Sequence, residues 1–230
     1  MSGVACLGID TATVRGSIAL ARAGRLLAEA ALEERAPHAR ELLDRIERLL
    51  RDAGLAAADL AGIGVLTGPG SFTGVRIGMA TGKGMAWGLG IPVLGLSSLL
   101  ALALAAVARG GAAALCPVLQ AGRGELYAAL FAVEQGGLVR LWEDRAWRPA
   151  ELVAGLDEGT VLVGDGVAAA LEAAGAAGRR LGAVEPSPSL AGAIALRAAA
   201  TLRPGSGYAI GSLAPNYIRP TDAEAARPRT

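Results

Sequence analysis

The segment from Gly62 to Gly95, GIGVLTGPGSFTGVRIGMATGKGMAWGLGIPVLG, leaves this chain few ways to fold. Its first apolar run, Ile63–Leu66, is short and β-branched and predicts a brief strand. Gly68, Pro69 and Gly70 break that strand, and Ser71 is placed to cap the helix that follows. Along the helix Gly74, Gly78 and Gly82 recur every four residues and line up as one smooth stripe. Each costs about 1 kcal/mol against alanine in a helix interior. Three in register need a compensating gain, and close approach of a backbone or a ligand is the usual one. A second strand, Ile91–Leu94, closes the unit.

The flanking sequence extends it on both sides. Val4–Ile9 is continuously apolar and ends in Asp10, as a strand buried on both faces requires. Ser17–Ala21 and Leu26–Leu32 add two strands through turns at Asp10–Thr13 and Gly24. From His38 to Ala53 the residues Ala39, Leu42, Leu43, Ile46, Leu49, Leu50 and Ala53 follow helical spacing, and Gly54 ends the helix. After a helix over Ser98–Ala108 and the Gly110–Gly111 break, a second round follows. Its strands are Leu115–Leu119, Leu126–Val133, Leu138–Glu143 and Val161–Val163, with a helix over Val167–Ala177 and a last helix capped by Pro186-Ser187-Pro188-Ser189 and running to about Leu202. Two α/β halves of similar type are expected, residues 1–108 and 109–220, followed by an apolar-free tail at 221–230.

Composition removes several function classes. A net charge of +1 gives no field for steering nucleic acid or an anionic membrane, and 3% aromatic content argues against base-stacking platforms. Cys6 and Cys116 lie in apolar runs without metal or redox spacing and are expected to be buried free thiols in a cytoplasmic protein. Gly84–Ala108 is uncharged and long enough to span a bilayer, but Pro92, Gly95 and the Ser97–Ser98 helix start divide it into strand and helix, so no membrane span is expected.

Two motifs carry chemistry on paper. Gly68–Gly74, entering a helix, offers backbone N–H groups and a favourable dipole to a phosphate, or is a tight strand-to-helix turn; spacing leaves both open. It fits neither the Walker loop nor the dinucleotide fingerprint. Asp10, at a strand end beside Thr11 and Thr13, either holds magnesium or bonds its own turn. His38 is the sole histidine, which excludes a histidine-based zinc pair and leaves it as a cap or interface residue.

The stretches LGIDTAT, HARELL, GPGSFTGVRIG, GELY, GDG and PNYIR together resemble the TsaB (YeaZ) family, a paralogue group of TsaD within the actin-like ATPase superfamily. The resemblance implies an α/β actin-like fold of two similar domains with mixed sheets. It also implies a non-catalytic subunit that supports TsaD in transferring threonylcarbamoyl to the adenosine beside the tRNA anticodon. The implied partners are TsaD, TsaE and a second copy when alone, with tRNA met through the complex.

Departures from the superfamily pattern fit that division of labour. Ser98 and Leu102 occupy the positions of the TsaD HxxxH metal pair, Ala12 replaces glycine in the nucleotide turn, and Gln120 replaces a common aspartate. An ATP or ADP site is expected to be degraded at Asp10, Thr11, Gly68, Gly70, Ser71, Gly164 and Gly166, or to lie at the contact with TsaD. No residue is expected to be catalytic or to ligate metal. The family's helix-pair interface maps to His38, Leu42, Ile46, Leu49, Val75, Gly78, Met79 and Gly82; the alternative is that the leucines face their own sheet. A small-molecule kinase or ATPase of the same superfamily is the rival function, and a peptidase a weaker one.

Overall fold

The structure, a computed structural model, describes residues 4–32, 39–107, 110–135, 137–184, 189–203 and 210–218. The first sheet combines β1 (Ala5–Asp10), β2 (Ser17–Arg22), β3 (Arg25–Ala31), β4 (Leu60–Gly68) and β5 (Val93–Ser97) in the order β3-β2-β1-β4-β5. The β1–β2–β3 pairs are antiparallel and β1–β4–β5 parallel. The second sheet repeats this plan with β6 (Ala114–Gln120), β7 (Leu126–Glu134), β8 (Gly137–Trp147), β9 (Val161–Val163) and β10 (Gly182–Val184), in the order β10-β9-β6-β7-β8. Again the hairpin pairs are antiparallel and β6–β9–β10 parallel. Both halves are therefore mixed sheets with one topology, as expected.

The helices are α1 (Ala39–Asp52), α2 (Phe72–Leu89), α3 (Ser98–Val107), α4 (Pro149–Gly155), α5 (Val167–Ala176) and α6 (Ala191–Thr201). Every residue of β1 is buried, because α2 covers one of its faces and α6 the other, while α1 packs beside α2 over β2 and β3. Gly8 makes the second contact close: a Cβ there would run into the Ala191 carbonyl and lie 2.7 Å from the Ala195 nitrogen. Gly62 and Gly64 serve the same helix, facing Leu202 and Ile194. β4 runs nine residues, well beyond the short strand expected over Ile63–Leu66, pairing along its length with β1 and β5.

Two helices change sides. By chain position α6 belongs with the second half, yet it lies on β1, β2 and β4 of the first sheet. Conversely α3 lies on β6 and β7, burying Leu99, Leu102, Ala103 and Ala106 between the sheets. Each buried leucine contributes about 2–3 kcal/mol by area. This inter-sheet position accounts for the uncharged stretch, and among the described residues no helix is long and apolar enough to cross a membrane. α4 and β10, of seven and three residues, add to the elements expected from the sequence. Cys6 and Cys116 are free and buried, and burial pushes their thiols up to about 11 and about 12. Positions 221–230 lie outside the described residues.

Candidate functional site

The Asp10–Thr13 turn is closed by its own backbone. Asp10 is fully buried and its Oδ1 accepts N–H bonds from Ala12 (2.9 Å) and Thr13 (3.0 Å), while the Thr13 hydroxyl donates to Oδ2 at 2.5 Å. Burial raises the Asp10 carboxyl to about 6 against the lowering effect of those three bonds. This turn docks onto the start of α2. Ser71 N–H donates to the Ala12 carbonyl (2.8 Å), Gly74 N–H to Ser71 Oγ (3.2 Å), and the Thr11 hydroxyl to the Gly74 carbonyl (2.6 Å). A Cβ on Gly70 would press against the Ala12 carbonyl, and one on Gly74 against that of Thr11. Of the two readings of the glycine turn, the geometry is that of a tight junction, with Ser71 and Gly74 amides engaged inside the chain.

The turn of the second half is built the same way. Gly166 N–H donates to the Val118 carbonyl (3.1 Å), and a Cβ on Gly164, at φ +125°, would strike that same oxygen. Asp165 accepts the Gln120 N–H at 2.8 Å, and its carboxyl is raised by burial against the lowering effect of that bond. Among the described residues no hydrogen bond joins Asp10, Thr11, Gly68, Gly70 or Ser71 to Gly164 or Gly166. Nor do three or more His, Cys, Asp or Glu side chains gather into a metal-binding group there.

The expected partner residues point inward. Leu42, Ile46, Leu49, Val75 and Met79 are buried in the first core, and Gly78 and Gly82 are buried beneath them on α2. A Cβ on Gly78 would collide with Thr11 Oγ1, and one on Gly82 with Val65. The compensating gain for the glycine stripe is thus close packing on β1 and β4, and the alternative in which the leucines face their own sheet is what the structure has. None of these seven can offer a side chain to another protein. His38 lies outside the described residues.

The outward face of the same two helices is different. On α2, Arg76, Ala80, Gly84, Trp87 and Gly88 are exposed, and Cβ atoms on Gly84 and Gly88 would meet nothing within 4 Å. Trp87 is 80% exposed and Leu43 on α1 46%. Ala80, Gly84 and Gly88 form a second four-residue stripe that was as visible in the sequence as the first.

The C-terminal segment braces this face. Tyr217 stacks on Phe72 with ring centroids 5.3 Å apart, and Arg76 Nε donates to the Tyr217 hydroxyl at 2.8 Å. Lys83 Nζ donates to the Leu213 carbonyl at 2.5 Å. Asn216 N–H donates to the Thr67 carbonyl at 2.7 Å, and its amide group to Asp144 at 3.0 Å. Asp144, on β8, also accepts from Ser97 Oγ (2.5 Å) and Arg140 (2.6 Å). Asn216 therefore ties the end of β4 to the second sheet.

Comparison with known proteins agrees with this architecture. The family model for TsaD, tRNA N6-adenosine threonylcarbamoyltransferase, matches residues 26–174. A Bacillus subtilis relative, tRNA threonylcarbamoyladenosine biosynthesis protein TsaB, is 37% identical over 139 residues. That match takes in 60% of this chain and 60% of the relative, under two thirds of the curated protein's length. The solved structure of YeaZ from Pseudomonas aeruginosa superposes with a TM-score of 0.72 at 26% identity, covering 93% of this chain and 99% of that one. A ROK hexokinase from Thermus thermophilus shares the actin-like fold at TM-score 0.51 and 16% identity, over 84% of this chain and 98% of its own. The chain belongs to the TsaD family described by that model, within its TsaB (YeaZ) group.

Proposed function

We propose that the chain is a non-catalytic subunit of tRNA threonylcarbamoyladenosine synthesis. In this reading it docks on TsaD through the outward face of α1 and α2 and keeps that enzyme competent for threonylcarbamoyl transfer to the adenosine beside the anticodon. TsaE joins the assembly, tRNA is met through the complex, and the chain alone pairs with itself through the same face. The observation that carries the reading is the largely apolar, small-residue outward face of α2, with Trp87 standing 80% exposed at one end. Smooth surface beside a bare aromatic anchor suits close helix packing by a partner.

The residues at the positions of the family's metal pair favour the same reading. Ser98 and Leu102, at the positions of the TsaD metal pair, are both buried, and a leucine cannot ligate a metal. A small-molecule kinase of the same fold would need a nucleotide to displace the Ala12 carbonyl from the Ser71 amide. Reconstitution tests the proposal: TsaD, TsaE, threonylcarbamoyl-adenylate and unmodified tRNA, with and without the chain. Modification that needs the chain but is never performed by it alone is expected. Modification by the chain alone, or by TsaD at full rate without it, overturns the reading.

A further inference from the structure

The charge on the outward face of α2 is one-sided. From Leu60 to Gly124 the sequence contains no Asp or Glu, so α2 carries Arg76 and Lys83 and no acid. Lys83 is engaged with the Leu213 carbonyl, and among the described residues Arg76 has no ion pair.

Arg76 is held in place without being neutralised. Its guanidinium carbon sits 3.8 Å from the centroid of the Phe72 ring and 5.8 Å from that of Tyr217. Its Nε–H is fixed by the Tyr217 hydroxyl at 2.8 Å. Among the described residues neither Nη group has a hydrogen bond or an ion pair. A guanidinium stacked on one side and tethered through Nε presents its Nη donors as a ready fork, the geometry that a carboxylate takes in bidentate fashion. The ring stack and the tether have already restricted the side chain, so less freedom is lost when a partner pairs with it.

Its position joins it to the partner face. Arg76, Ala80, Gly84 and Gly88 follow one another at four-residue spacing, so the guanidinium stands at the head of the small-residue stripe. Trp87 stands at the foot, eleven residues on, about 17 Å along the axis.

We infer that Arg76, set by Phe72 and Tyr217, is the electrostatic anchor of the partner interface and takes an Asp or Glu carboxylate from a helix of the TsaD-family partner. This rests on the partner-subunit reading and specifies the chemistry of its contact. The partner helix lies along Ala80 and Gly84, with its acid at the Arg76 end and an apolar recess for Trp87 about three turns away. On a second copy α2 carries no acid, and on α1, which carries Glu41, Asp44, Glu47 and Asp52, Glu47 and Asp52 are already paired with Arg51 and Arg48. A second copy using the rest of α1 is the competing occupant, which light scattering separates from TsaD.

The test is calorimetric titration of the full chain with its cognate TsaD at low and high salt, for wild type, Arg76→Lys and Arg76→Glu. Thermal unfolding controls for folding, since the side chain is exposed. Arg76→Glu is expected to weaken binding by roughly thirtyfold or more and to abolish its salt dependence, with Arg76→Lys in between. Changing the matching partner acid to Arg is expected to restore binding to Arg76→Glu. Wild-type binding unaltered within twofold by Arg76→Glu overturns the anchor while leaving the partner-subunit reading intact. Loss of self-association alone on light scattering, with TsaD affinity unchanged, identifies a second copy as the occupant and also overturns it. Failure of the wild type itself to bind TsaD overturns the underlying reading instead.

Discussion

Two glycine stripes run along one helix, and replacing them with alanine should move stability in opposite directions. At Gly84 the added Cβ meets nothing within 4 Å, so only the helix-propensity gain remains, about 0.8–1 kcal/mol. At Gly78 the same methyl collides with Thr11 Oγ1, whose hydroxyl donates to the Gly74 carbonyl at 2.6 Å. Thr11 is buried against Asp10 and the start of α2, so it cannot swing away without giving up that bond. Overpacking costs about 1–3 kcal/mol and the lost bond about 1 kcal/mol, against the same gain of about 1 kcal/mol. The net expectation is destabilisation by about 1–3 kcal/mol for Gly78→Ala and stabilisation by up to about 1 kcal/mol for Gly84→Ala. Urea titration followed by far-UV circular dichroism reads both, and the difference in melting temperature should be several degrees for a chain of this length. Gly78→Ala at least as stable as wild type, or Gly84→Ala clearly less stable, would refute the assignment of inward and outward faces.

Asp10 predicts a pH dependence. Its folded value is raised from 3.8 to about 6, so its contribution to stability is fully present below about pH 4 and is lost as the pH climbs through 6. The loss is about 3 kcal/mol at about 1.4 kcal/mol per pKa unit. Asp10→Asn keeps both N–H bonds to Oδ1, removes that dependence, and should be the more stable protein at pH 8; a stability difference from wild type that stays constant from pH 4 to 8 contradicts this. Asp144→Ala removes the common acceptor of Ser97, Arg140 and Asn216 and should lower stability by about 2–3 kcal/mol in urea titration, whereas Asn216→Ala, which leaves Arg140 paired, should lose about 1 kcal/mol.

Much of the architecture could be read from residues. The six buried positions of β1 announce themselves as an unbroken apolar run closed by Asp10, and α1 by leucines at helical spacing. Both signals are local. What stayed hidden depends on contacts distant in the chain. Nothing in the composition of α6 says that Ala191 and Ala195 lie on Gly8, some 180 residues earlier. For α2 the period was legible but its phase was not: Gly74–Gly78–Gly82 and Ala80–Gly84–Gly88 repeat alike, and the choice of inner stripe is made by Thr11 and Val65 on the sheet below. Tyr217 and Asn216 were noticeable in PNYIR, yet their work depends on Arg76, Thr67 and Asp144. A glycine turn before a helix likewise looks the same whether it is open to a phosphate or filled, as here, by the Ala12 carbonyl.

The most direct test of the account is size-exclusion chromatography with light scattering on the chain mixed with its cognate TsaD, comparing wild type with Gly84→Arg. The arginine at position 84 enters open space and leaves the fold intact, so circular dichroism should be unchanged. A one-to-one complex is expected for the wild type and separate proteins for Gly84→Arg. A complex that forms equally well with Gly84→Arg would contradict the proposed docking face, because the partner would then be using some other surface.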